Sequence, residues 1–153
     1  MQLASDLKQL RVRAWSERWL LLEAVAWLAL GRAAIRLLSL QQMAGWLGLA
    51  QGGALAEFEP GMAKMAANIG WAVRTVAART HGNATCLVQT LAGAAMLRRR
   101  GIPCTLSLGI ARNVNGITAH AWLGCGNVIL TGAAGHERFT LISSFVAPRA
   151  EAG

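Results

Sequence analysis

The chain has 153 residues, 54% of them apolar, and that length and apolar share predict one compact domain. Fifteen Lys and Arg against seven Asp and Glu leave a net charge of +8, which draws acidic partners; the basic residues fall on separate helical segments and there is no Tyr, so a nucleic-acid role is not expected. The cysteines Cys86, Cys104 and Cys125 are odd in number and lack C-x-x-C spacing, which argues against a disulfide framework or zinc knuckle, so a reducing cytoplasm is expected, with no metal or cofactor.

From Ser5 to about Leu38 the chain has no proline and reads as helix, with Ser5 or Asp6 as its capping residue. Within it, Trp19 to Leu30 is apolar nearly all round and is expected to be clamped by other elements. That run is twelve residues long and holds Glu23, so it is too short for a membrane span, which needs about 20 residues, and it makes a poor signal peptide. Glycines from Gly45 to Gly53 end this helical extension, residues 1–56. Pro60 suits a first helical turn, and Met62, Met65, Ala66, Ile69, Val73, Val76 and Ala77 recur at helical spacing. After HGNATC, with Asn83 or Thr85 as cap, the run CLVQTLAGAAMLRRR predicts a helix that stops at Gly101. Beyond Pro103 the period changes. CTLSLGIAR, ITAHAWLGC and VILTG alternate as strands, joined by NVNG and by Gly126-Asn127. Helices first and an antiparallel meander afterwards define an α+β domain, with N-terminal helices packed on a small antiparallel sheet over residues 1–147 and a frayed tail at 148–153.

Cys86 falls at the start of its predicted helix, where free backbone N–H groups and the helix dipole favour a thiolate. His120 lies in mid-strand, sharing a face with Thr118 and Trp122. A histidine on a rigid strand can serve as general base to a cysteine at a helix start, taking the thiol proton and returning it to a departing amine. Cys104 and Cys125 sit in strand patterns and read as small buried hydrophobes. Neither His81 nor His136 has a strand setting of this kind.

The order of these residues resembles that of transglutaminase-like enzymes. More closely, the Cys86-Leu87 helix start, the exit Arg99-Arg100-Gly101-Ile102-Pro103 and the strand His120-Ala121-Trp122 are similar to the stand-alone leader peptidases of lasso-peptide biosynthesis. The resemblance covers nearly the whole chain, with its specific motifs between Thr85 and Phe139. It implies a transglutaminase/papain-like core at residues 57–147, with Cys86 as nucleophile and His120 as base. It also implies a precursor peptide as substrate, a separate leader-recognition protein as partner, and an ATP-dependent macrolactam cyclase acting afterwards.

The resemblance implies a third residue, an Asp, where this chain has Gly132. Glu137 in the following loop is the expected replacement that orients the imidazole, with Thr131 or a backbone carbonyl as alternatives. Trp122 is placed to line the substrate groove or to pack, and Gln89 to assist the Cys86 N–H at the oxyanion. The lack of the Asp leaves a catalytically impaired scaffold open as a second reading, and acyl transfer to an amine as a third.

Overall fold

The computed structural model describes residues 2–52, 58–80 and 85–147, with side chains from Trp15 onward. Asn83, His81 and the tail at 148–153 lie outside the described residues. Helix α1 spans Gln2–Leu37. It begins before Ser5 and Asp6, which are therefore helical residues and not caps. Ser39 caps α2 (Leu40–Trp46) through a reciprocal pair, its hydroxyl accepting from Gln42 N while its own N–H donates to Gln42 Oε1. After the short strand β1 (Ala50–Gln51), a 3₁₀ turn at Pro60–Met62 leads into α3 (Ala63–Arg79), with the proline in the first turn as expected.

Helix α4 (Cys86–Arg99) is the centre of the molecule. Val88 and every residue from Thr90 to Leu97 are buried, because α1 and α3 cover one side of the helix and the sheet covers the other. Strands β2 (Cys104–Asn113), β3 (Gly116–Cys125) and β4 (Val128–Thr131) form the expected meander. The chain then passes through a 3₁₀ turn at His136–Arg138 to a further strand, β5 (Thr140–Ala147), which returns to pair with β2. The antiparallel sheet order is β1-β5-β2-β3-β4, which with the helices makes the expected α+β fold.

One core joins all layers, with Leu20, Ala24 and Leu28 of α1, Ile69 and Val73 of α3, most of α4, and Leu106, Leu123 and Phe145 of the sheet. The apolar run of α1 is not clamped all round. Its 20, 24 and 28 line is buried, while Trp19, Leu22 and Val25 are 66%, 61% and 50% exposed, since α3 and α4 meet the helix from one side only. Among the described residues no helix is long and apolar enough to cross a membrane.

Candidate active site

Thr85 stands in extended conformation before α4, and its hydroxyl accepts from the Val88 N–H. The cap places half-buried Cys86 at the first helical position, with its own N–H and that of Leu87 at the positive end of the helix. Cys104 and Cys125 are different. Both are buried, and burial pushes their thiols up to about 12 and about 11, so they remain protonated and inert.

Helix α4 passes through residues 100–103 straight into β2, so it runs against β2 and along β3. Gly93 fixes the register, because a Cβ there would lie 2.6 Å from Leu123 Cδ2. From Gly93 back to Cys86 is about 10 Å of helix, and from Leu123 back to His120 is about 10 Å of strand. The two candidate residues therefore stand at one level.

They do not stand on one face. The β2–β3 register runs without a shift from Thr105↔Gly124 to Asn113↔Gly116, so strand alternation is unbroken and His120 projects from the face opposite Leu123 and α4. At the level of His120, however, β4 has already ended. The imidazole leans towards that end, with Nε2 2.8 Å from Gly132 O. A contact chain leads back from there to the helix. Thr131, next to Gly132, has its hydroxyl 3.3 Å from the Thr90 hydroxyl, and Thr90 donates at 2.7 Å to Cys86 O.

The Gly132 carbonyl can only accept, so Nε2 carries the proton and Nδ1 of the neutral ring is left as the base. This backbone group stands where a carboxylate was expected. Gly132 has φ 73°, and a Cβ there would run into Ala121 O, so this tight passage of the main chain requires glycine. Glu137 lies instead on the 3₁₀ turn, highly exposed, with its carboxylate 3.5 Å from His136 Nδ1. Thr131 is buried, with its hydroxyl on Thr90. Trp122 flanks His120 at 6.0 Å between ring centroids and touches His136 at 5.7 Å.

Phe139 stacks on the imidazole at 4.8 Å, a partner that sequence reading missed because no local period links positions 120 and 139. Thr90 was missed as well, although its place one helical turn after Cys86 is a usable signal. Gln89 lies in the first turn of α4, its N–H on Thr85 O. Two of the arginines at the helix exit are committed to structure, Arg99 and Arg100 reaching Glu23 of α1 at 2.8 and 2.7 Å.

The family model described as the transglutaminase-like superfamily matches residues 27–144, more than half of the chain, and takes in Cys86 and His120. The chain belongs to that superfamily. Comparisons with curated proteins and with solved structures return no match. Transglutaminase-like proteins are typically cysteine-based enzymes, which makes peptidase or acyltransferase chemistry the coarse expectation for this member.

Proposed function

We propose that this transglutaminase-like protein is a cysteine peptidase that removes the leader from a ribosomally made precursor of the lasso-peptide kind, with Cys86 as nucleophile and His120 as base. The observation that carries the reading is the His120 ring, held through Nε2 at the end of β4, level with a cysteine that opens α4. In this reading the imidazole, which projects from the sheet face opposite α4, reaches the sulfur around the edge of β3 that β4 leaves uncovered. Nδ1 takes the thiol proton, and the thiolate attacks the scissile carbonyl carbon. The oxyanion is received by the Cys86 N–H, with Gln89 as second donor. Collapse breaks the C–N bond as the imidazolium protonates the departing amine, and water then releases the acyl group from sulfur. Trp122 and Phe139 hold the ring and exclude water from it, and Glu137 stays on the rim.

The finer assignment rests on the Cys-Leu helix start, the Arg-Arg-Gly-Ile-Pro exit and the His-Ala-Trp strand taken together. It brings with it a separate leader-recognition protein and a cyclase that uses the freed amine. The test is release of the leader from a lasso precursor mixed with its leader-binding protein. Wild-type protein releases it, and Cys86→Ala abolishes release while keeping its melting temperature. Cleavage that persists in Cys86→Ala ends the proposal, and a cross-linked product in place of a hydrolysed one assigns acyl transfer.

A further inference from the structure

Strand β3 is paired unequally on its two sides. Nine of its ten residues, Gly116 to Gly124, are in register with β2, whereas β4 pairs only with Leu123, Gly124 and Cys125. The direction of each backbone group follows from the hairpin. Asn113 and Gly116 are partners across a two-residue turn, and so close a pair must exchange both of its hydrogen bonds. Counting along the unbroken ladder, residues 116, 118, 120, 122 and 124 direct N–H and C=O at β2. Residues 117, 119 and 121 direct theirs the other way, where β4 would have continued. The Gly132 passage crowds the carbonyl of Ala121. Ile117 and Ala119 are exposed, Ile117 at 68%, and among the described residues no backbone group pairs with theirs.

An open edge of this kind is a template for another strand, and proteins ordinarily blunt such edges with proline, charge or shortness. Residues 116–121, Gly-Ile-Thr-Ala-His-Ala, carry neither proline nor a carboxylate or ammonium group. The sheet's outermost strands, by contrast, are short, β1 with two residues and β4 with four. The bare edge ends beside the His120 ring, where the end of β4 also lies.

We infer that this edge is a peptide-docking site, where an extended peptide main chain pairs with the N–H and C=O groups of Ile117 and Ala119 and is thereby led past His120. Only an extended backbone presents donors and acceptors at the strand repeat, so the ligand is an unfolded or flexible peptide segment, not a side chain on a folded surface. Ile117 adds an apolar contact on one face of the docked strand, and Thr118, held by Asn113 Nδ2 at 2.8 Å, adds a polar one on the other. The net charge of +8 favours peptides with carboxylates. The inference deepens the peptidase reading and rests on it for the docked peptide being substrate.

The experiment uses the Cys86→Ala protein, so that docking is read apart from cleavage. The probe is an acetylated octapeptide of alternating Val and Glu, and the control is the same peptide with alternate residues N-methylated, which cannot pair. Amide hydrogen exchange at Ile117 and Ala119 slows at least about tenfold with the probe and is unchanged by the control. Ala119→Pro removes one outward N–H without touching the β2 ladder, and it weakens probe binding at least about tenfold. Unchanged exchange at both amides under millimolar probe, or equal effects of probe and control on the unsubstituted edge, overturns the inference. Docking found together with an inactive wild-type enzyme sinks the peptidase reading and leaves the edge site standing.

Discussion

The two halves of β3 share one strand, one partner in β2 and one alternation, yet they have different duties. From Ala121 to Cys125 the strand has α4 on one face, with β4 at its edge from Leu123 onward, and Ala121, Leu123 and Cys125 are buried. From Gly116 to His120 the same strand has lost both neighbours and is largely exposed. Stability is concentrated where the neighbours are, and chemistry where they stop. The catalytic candidate His120 sits at the boundary, where a rigid backbone carries a side chain that substrate can reach.

The sharpest way to break this comparison is to shorten a side chain in each half. Leu123→Ala removes a fully buried group at the α4 contact and lowers unfolding free energy by about 2 to 5 kcal/mol, whereas Ile117→Ala on the same strand changes it by less than about 0.5 kcal/mol, both measured by urea denaturation. Similar losses at the two positions contradict the division.

A second substitution probes the boundary itself. Gly132→Ala forces a side chain into a left-handed position against Ala121 O, costing about 1 to 3 kcal/mol and pulling the carbonyl from His120 Nε2. Turnover of the precursor falls in that variant by more than the loss of folded protein explains. For the same reason Gly132→Asp does not restore a stronger triad.

The smallest effect lies far from β3. Burial alone would raise the Glu23 carboxyl, but Arg100 and then Arg99 outweigh it and hold the group below its ordinary value of 4.5. Its contribution is present above that value and is lost as pH falls through the lower folded one. Because Arg99 is largely exposed, Glu23→Gln costs about 0.5 to 1 kcal/mol at neutral pH, and the difference from wild type vanishes in acid. A difference that grows in acid would reverse the sign.

Much of this was legible in the sequence because it depends on local signals. Thr85 as a cap, Gly101 (φ 65°) after the helix and the two-residue turn at Gly126-Asn127 are set by residues within a few positions of one another. What could not be read depends on distant chain. Strand β5 follows a loop and pairs back across to β2, so the meander pattern had no signal for it. The exposure of Trp19 and Leu22 on α1 depends on which side α3 and α4 approach, and a run that is apolar all round carries no such direction. At the site, residue type suggested a carboxylate for His120, but the partner is a main-chain oxygen, which every residue possesses and no motif marks.

The account stands on Cys86 and His120 acting on each other around the free edge of β3. Iodoacetamide labelling at pH 6, read by mass spectrometry in wild type and in His120→Ala, measures this directly, since Cys104 and Cys125 are buried as neutral thiols and stay silent. Cys86 reacts at least about tenfold faster in wild type than in the variant if the imidazole draws its proton. Equal rates in two folded proteins would mean that the ring never reaches the sulfur.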